Sequence, residues 1–145
     1  MDLKSIALDA SDQRIYRLKD FRGTKLILVV YPKNSRGSCL QMLKRFDALS
    51  EDFRHKGYII VGMNREPLKR HADFKADNSI DLLLVSDKDE QLSRALGLLL
   101  TKEVFDKRIT GLPRAALIFD EQTNLISKEI NIDPEHYPDA LLNRL

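Results

Sequence analysis

Apolar residues in the first third of the chain change from a continuous run to a spaced pattern. The run at Lys25–Tyr31 is rich in β-branched residues, which is typical of a strand buried on both faces. After it, apolar side chains recur every three or four residues, which predicts an amphipathic helix ending near Lys56–Gly57. This stripe is formed by Cys39, Met42, Leu43, Phe46, Leu49 and Phe53. We therefore expect Cys39 in the first turn of a helix that follows a central strand.

Strand and helix patterns alternate along the rest of the chain. A short hairpin is predicted from Ile6–Leu8 and Arg14–Leu18, and a second hairpin turns at Asp120–Asn124. Residues Gly97–Pro113 fit either an irregular loop or a further strand. The other predicted strands are Tyr58–Met63, Ile80–Val85, Ala115–Phe119 and Leu125–Ile130, and the other predicted helices are Pro67–Ala76, Glu90–Leu96 and Pro134–Leu145. This order predicts an α/β fold in one domain, residues 1–145, with a mixed central β-sheet flanked by helices.

Composition and charge narrow the class of protein. The chain has 145 residues, of which 43% are hydrophobic and 32% charged, enough for one domain with a sizeable core. Its net charge is +2 and the charges are mixed, so the basic stripe of a nucleic-acid-binding protein is missing. We find no apolar run of membrane-spanning length and no secretory leader pattern, and we expect a cytoplasmic protein. No ligand set has metal-binding spacing around His71, which is expected on a helix surface or beneath the sheet.

Cys39 is the only cysteine in the sequence. A disulfide within the chain is therefore excluded, and a reducing compartment is expected. At a helix N-terminus, free backbone N–H groups and the helix dipole favour the thiolate, which is the nucleophilic form. Lys33 and Arg36 add positive charge nearby. A lone cysteine is also commonly a small buried apolar side chain, so spacing alone leaves both interpretations open.

Short motifs in a fixed order carry a family resemblance. Tyr31-Pro32-Lys33 follows the central strand, Cys39 lies just beyond it, and Arg114 lies six residues before Asp120. Further segments in the same order are Leu18–Gly23, His71–Lys75, Leu84–Asp87 and Arg94–Gly97. Together they resemble peroxiredoxins of the bacterioferritin-comigratory-protein type over nearly the whole chain. The resemblance implies a thioredoxin-like fold and the reduction of hydroperoxides, with no cofactor and no metal.

The resemblance also implies a role for each candidate site residue. Cys39 would be the catalytic nucleophile and would become a sulfenic acid, and Arg114 would stabilise the thiolate and the charge on the leaving oxygen. Pro32 would shield the thiolate. With no second cysteine, and with Lys44 at a position where many relatives carry a resolving cysteine, a 1-Cys cycle follows. An external thiol, such as a thioredoxin or glutathione, would then be the reductant.

Three positions depart from the family pattern close to the expected site. Arg36 stands where the family has threonine, Gly37 where it has proline, and Met42 where it has glutamate. Arg36 is itself a candidate catalytic residue, because a guanidinium can donate a hydrogen bond to an anion, although it cannot accept one. Either Ser35 or Ser38 could replace the lost hydroxyl. The departures also fit an alternative function, a catalytically degenerate peroxiredoxin-like module that binds a partner or senses redox state. Monomer and homodimer both stay open.

Overall fold

The protein is described by a computed structural model that covers residues 2–145. The described strands are β1 (Leu8–Ala10), β2 (Ile15–Tyr16), β3 (Lys25–Val30), β4 (Tyr58–Asn64), β5 (Leu83–Ser86), β6 (Leu100–Val104), β7 (Lys107–Gly111), β8 (Ala115–Phe119) and β9 (Leu125–Ile130). All but β6 and β7 form one mixed sheet of seven strands in the order β2-β1-β5-β4-β3-β8-β9, in which β3, β4 and β5 are parallel and the other pairs antiparallel. The sheet confirms the predicted mixed α/β fold.

Strand β3 lies between β4 and β8, with hydrophobic clusters on both faces of the sheet. Ile27 and Val29 belong to one cluster, while Leu26 and Leu28 belong to the other. Successive side chains of a strand point to opposite faces, so a strand covered on both sides must be apolar throughout. This explains the continuous apolar run in the sequence.

Helices cover the two faces of the sheet. The helices are α1 (Ser38–Ala48), α2 (Ser50–His55), α3 (Leu68–Asn78), α4 (Gln91–Ala95) and α5 (Tyr137–Arg144), with short 3-10 helices at Leu3–Ser5 and Leu18–Phe21. Buried leucine, methionine or phenylalanine side chains of α1, α2, α3 and α5 belong to one hydrophobic cluster, and Leu92 of α4 belongs to the other. Each element lies within a few residues of its predicted position, with two exceptions.

The first exception is the long helix predicted from Cys39 to Gly57, which the structure divides in two. The backbone leaves helical geometry at Leu49, where φ is −93° and ψ is 1°. Leu49 and Phe53 are nonetheless both buried in the cluster that contains Cys39. The apolar stripe therefore continues across the break, which is why the pattern predicted one helix. Gly57 has φ +89° and ends α2, as expected of a glycine there.

The second exception is the segment Gly97–Pro113, which contains the hairpin β6–β7. This hairpin forms a separate two-stranded sheet. The Arg65 guanidinium, beyond β4, anchors it by donating to Thr110 Oγ1 at 3.2 Å and to the Thr110 carbonyl oxygen at 3.0 Å. The turn residues Phe105 and Asp106 both have positive φ without being glycine, and Phe105 is 95% exposed. The sequence therefore lacked both the turn residues and the buried face that normally predict a hairpin.

The topology brings several chain segments to one edge of the sheet. The carboxyl ends of the parallel strands β3 and β4 lie side by side there. Strand β8 runs antiparallel to β3, so its first residue, Ala115, pairs with Val30 at the same edge. In sheets of this kind, functional sites gather beyond the carboxyl ends of the parallel strands. The loop from Tyr31 to Gly37, the start of α1 and Arg114 all lie at this edge.

Candidate active site

Cys39 lies in the first turn of α1, as predicted, and only 6% of its surface is exposed. The N–H of Gln41 donates to the Gly37 carbonyl oxygen at 3.0 Å. The N–H groups of Ser38, Cys39 and Leu40 therefore precede the first hydrogen bond within the helix. The first turn of α1 carries no acidic residue. The thiol thus lies at the positive end of a helix dipole that no carboxylate in that turn offsets.

Arg114 reaches the same helix end from the neighbouring strand. It directly precedes β8, whose start lies beside the end of β3. Its Nη1 donates to Ser38 Oγ at 3.2 Å. Its Nε is buried and has no hydrogen-bond partner among the residues that the structure describes. The fold therefore brings Arg114 to the residue that adjoins Cys39 and leaves it one unused buried donor.

The loop between β3 and α1 is held by polar contacts of Asn34. Its Oδ1 accepts from the Tyr31 hydroxyl at 2.7 Å and from Asn64 Nδ2 at 3.2 Å. Its backbone N–H donates to the Glu66 carboxylate at 2.6 Å, and its Nδ2 lies 3.0 Å from His71 Nδ1. These contacts join the loop to the end of β4, to Glu66 just beyond it and to α3. They fix the path of the chain just before Cys39.

His71 is fully buried within this network, which resolves its position in favour of packing beneath the sheet. Its Nε2 lies 3.0 Å from the Val85 carbonyl oxygen, which can only accept, so Nε2 carries the hydrogen and Nδ1 accepts from Asn34. Burial lowers the pKa of His71 to about 4, and the ring is neutral at neutral pH. Burial also raises the pKa of Tyr31, with the charges of Glu66 and Cys39 acting in the same direction.

The structure places the two remaining candidate residues in different surroundings. Pro32 is half-buried directly after Tyr31, at the start of the loop. Arg36 is exposed and lines an open groove between the loop and α3. Within residues 2–145, its side chain makes no hydrogen bond or ion pair. Arg114 is thus joined to the start of α1, whereas Arg36 faces a neighbouring cavity.

Two of the three departures from the family pattern have a clear structural setting. Gly37 has φ +96°, which is closed to a proline because its ring fixes φ near −65°. The chain therefore enters α1 here by a route that a proline at this position could not take. Met42 is fully buried in the apolar cluster with Phe46. No carboxylate reaches Arg114 from that position.

Several residues of this site were missed by reasoning from sequence. Asn34, Asn64 and Glu66 form the polar frame of the loop, yet Asn34 lies 30 positions from Asn64 and 32 positions from Glu66. The sequence did contain a signal for them, because each of the three residues ends or follows a strand that is mostly apolar. Polar residues at the carboxyl ends of adjacent parallel strands are brought together by the sheet.

Comparison with known sequences identifies the family. The model of the AhpC/TSA family matches residues 2–128, and the chain belongs to this family. The peroxiredoxin Bcp of Xanthomonas campestris pv. campestris is 29% identical over 128 residues, which cover 88% of this chain and 80% of that protein. The peroxiredoxin Bcp of Bacillus subtilis is 25% identical over 126 residues, covering 86% and 80%.

Comparison with solved structures agrees. A structure from a study of alkyl peroxide reduction by the Xanthomonas campestris bacterioferritin comigratory protein matches with a TM-score of 0.93 and 26% identity, covering 98% of this chain and 90% of that one. Matching structures of Xanthomonas campestris peroxiredoxin Q include two variants in which different cysteines were replaced by serine. The thioredoxin-like fold is thereby confirmed, and the chain is a thiol-dependent peroxidase of the Bcp peroxiredoxin type.

Two further findings concern other kinds of site. Among the described residues, no group of three or more His, Cys, Asp and Glu side chains is placed to hold a metal ion. In the same part of the chain, no helix has the length and apolar character needed to cross a membrane.

Proposed function

We propose that this protein reduces hydroperoxides with Cys39 as the nucleophile, in a cycle that uses one cysteine. The observation that carries the proposal is the hydrogen bond from Arg114 to Ser38 at the helix end that bears Cys39. The Cys39 thiolate attacks one oxygen of the peroxide in line. A sulfur–oxygen bond forms as the O–O bond breaks, and the second oxygen leaves with the electron pair as hydroxide or alkoxide.

Arg114 and Ser38 have complementary roles in this step. The guanidinium stabilises both the thiolate and the negative charge that grows on the leaving oxygen, and its unpartnered Nε offers a donor for that oxygen. A hydroxyl that accepts from Arg114 keeps its own hydrogen and can donate it to an anion. Ser38 thereby supplies the hydroxyl that the resemblance places at position 36. Pro32, half-buried beside the loop, limits the access of water to the thiolate.

The return step needs a thiol from another molecule. After the first step, sulfur is a sulfenic acid, and the chain has no second cysteine to condense with it. An external thiol attacks Cys39 Sγ, which forms a mixed disulfide and releases water. A second equivalent of thiol then attacks the disulfide, regenerates the Cys39 thiolate and leaves as an oxidised disulfide.

A degenerate module that binds a partner or senses redox state is the second candidate function. It is favoured by Arg36, Gly37 and Met42, each of which replaces a residue of the family pattern. In such a module, peroxide would oxidise Cys39, but the protein would not reduce peroxide in repeated cycles. Turnover and oxidation must therefore be measured separately.

The test is the rate of Cys39 oxidation by hydrogen peroxide and by tert-butyl hydroperoxide, followed by stopped flow with the sulfenic acid trapped by dimedone. We expect oxidation far faster than that of free cysteine at the same pH, and turnover with dithiothreitol that is lost in Cys39→Ser. Oxidation no faster than free cysteine would contradict the peroxidase. Fast oxidation without turnover would instead favour the sensing module.

A further inference from the structure

The loop that precedes Cys39 and the helix α3 form the two walls of an open groove of about 650 Å³. This volume lies within the range of small-molecule sites. Asn34 and Arg36 line it from the loop, and Arg70, Asp73 and Asp77 line it from α3. We infer that this groove binds the external reductant, and that it selects a zwitterionic peptide thiol carrying carboxylate and ammonium groups. The inference rests on the one-cysteine cycle proposed above.

The charged side chains that line the groove are exposed to solvent and have no partner among the described residues. Within residues 2–145, the side chains of Arg36, Arg70, Asp73 and Asp77 have neither an ion pair nor a hydrogen bond. The two guanidiniums, one from each wall, offer planar forks of donors that match carboxylates. A ligand with one sign of charge would satisfy only half of this lining. A zwitterion satisfies both halves.

The negative charges of the groove come from two aspartates on α3. Asp73 and Asp77 are four positions apart, so they lie on the same face of the helix as like charges, an arrangement that destabilises a helix on its own. Phe74 lies between them in sequence and is 7% exposed. An ammonium group placed between the two carboxylates would relieve their repulsion. The carboxylates of the same ligand would then lie toward Arg70 and Arg36.

The groove lies within reach of Cys39. Arg36 precedes Cys39 by three residues, so their Cα atoms are at most about 11 Å apart. In a tripeptide with a central cysteine, each charged end lies about two residues, or roughly 7 Å, from the thiol when extended. The end that carries both an ammonium and a carboxylate group can therefore lie in the groove beside Arg36 while the thiol extends toward the Cys39 sulfenic acid. The thiol sulfur bonds to Cys39 Sγ, the S–OH bond breaks, and the hydroxyl leaves as water with the thiol proton.

The experiment separates oxidation from reduction. Cys39 is first oxidised with one equivalent of hydrogen peroxide, and its sulfenic acid is then mixed with glutathione, 3-mercaptopropionate or 2-mercaptoethanol, compared at equal thiolate concentration. We expect glutathione to form the mixed disulfide fastest, with a rate that saturates. Arg70→Gln should slow glutathione and 3-mercaptopropionate about fivefold and leave 2-mercaptoethanol unchanged. Asp77→Asn should slow only glutathione, because that probe alone carries an ammonium group.

Lys69→Gln is the matched control, because it removes one positive charge from the exposed surface of the same helix without lining the groove. Equal effects of Lys69→Gln and Arg70→Gln would overturn the inference, as would a glutathione rate no higher than that of 2-mercaptoethanol. A protein thiol such as thioredoxin that reacts faster and is insensitive to Arg70→Gln would also overturn it. Failure to form the sulfenic acid at all would refute the proposed function instead, so the two failures are distinguishable.

Discussion

The Arg114 guanidinium donates to the Ser38 hydroxyl at 3.2 Å, one residue before Cys39. These two residues are 76 positions apart in sequence, and they meet because β8 begins beside the end of β3. The contact fixes a hydroxyl and a cation together at the positive end of α1. In the proposed reaction, Ser38 would replace the threonine hydroxyl that is absent at Arg36.

Ser38→Ala should slow the oxidation of Cys39 by hydrogen peroxide about tenfold, because it removes one hydrogen bond to a charged group. The rate is measured by stopped flow with the variant held in the thiolate form. Ser35→Ala is the matched control, since it removes the other candidate hydroxyl of the same loop, and its rate should stay within about twofold of the parent. A larger loss of rate in Ser35→Ala than in Ser38→Ala would contradict the prediction and would show that Ser35 supplies the hydroxyl.

Arg114→Gln should lower the oxidation rate about a hundredfold, the usual cost of losing one preorganised donor to a developing oxyanion. The side chain is half-buried and has one side-chain hydrogen bond, so the urea midpoint should change little. Arg22→Gln serves as the control, because Arg22 is exposed just before the opposite end of β3. If the two variants oxidise at the same rate, Arg114 has no electrostatic role in the reaction.

The fold could be predicted from the sequence wherever buried side chains produced a regular spacing of apolar residues. Strand β3 is covered on both faces, so its apolar run was continuous, and the position of Cys39 at the start of α1 followed. The break at Leu49 was missed because the buried stripe passes through it. The β6–β7 hairpin was missed for the opposite reason, since side chains such as Ile109 are exposed and give no alternation of buried and exposed positions.

The site could be predicted only in part. A thiol at a strand-to-helix junction is a local feature, so Cys39 could be found from its neighbours in sequence. The contact between Ser38 and Arg114 depends on the register of β8 against β3, which a single sequence does not contain. The bond between Asn34 and His71 likewise depends on how α3 packs under the sheet. Long-range polar pairs therefore needed the structure.

Gly37→Ala should lower the free energy of unfolding by about 1–3 kcal/mol, because φ +96° and ψ −139° at Gly37 lie close to a region that essentially only glycine adopts. A Cβ at Gly37 would meet no heavy atom within 4 Å, so the cost is one of backbone conformation. Gly111→Ala is the control, because its surroundings are equally open and its φ lies outside the left-handed range. The free energy of unfolding of both variants is measured with urea. Equal losses of stability would show that the backbone conformation of Gly37 is not the cause.

Arg36→Thr, which restores the family residue, should change the rate of Cys39 oxidation by no more than about twofold. Arg36 is exposed and lines the groove, while Ser38 already holds the position beside Arg114. Its effect should instead fall on the reduction of the sulfenic acid by glutathione. A large gain in the oxidation rate would mean that Arg36 cripples an inherited site, and a large loss would make it a working catalytic group.

His71 should make the protein less stable as the pH falls from about 6.5 to about 4. Its pKa is lowered from 6.5 to about 4 by burial, so between these values the unfolded chain binds a proton that the folded chain does not. The stabilisation is complete above pH 6.5 and is lost on acidification, by about 3 kcal/mol for the whole shift. Urea unfolding between pH 4.5 and 7 measures the slope. An NMR titration of the His71 ring tests its pKa without a variant.

Carboxyl groups with lowered pKa values, such as Glu129, affect stability only as the pH falls toward the usual carboxyl value of about 4.5, so the His71 effect is isolated above about pH 5.5. The pKa of exposed His136 is raised, chiefly by its hydrogen bond to Asp133, so any stability it adds is complete below pH 6.5 and is lost only as the pH rises above that value. The pKa of Asp139 is lowered by its hydrogen bond from Arg45, so its effect appears only on stronger acidification. A flat stability profile between pH 4.5 and 6.5, or a His71 ring that titrates near 6.5, would show that the Asn34–His71 contact does not hold the active-site loop with a neutral ring.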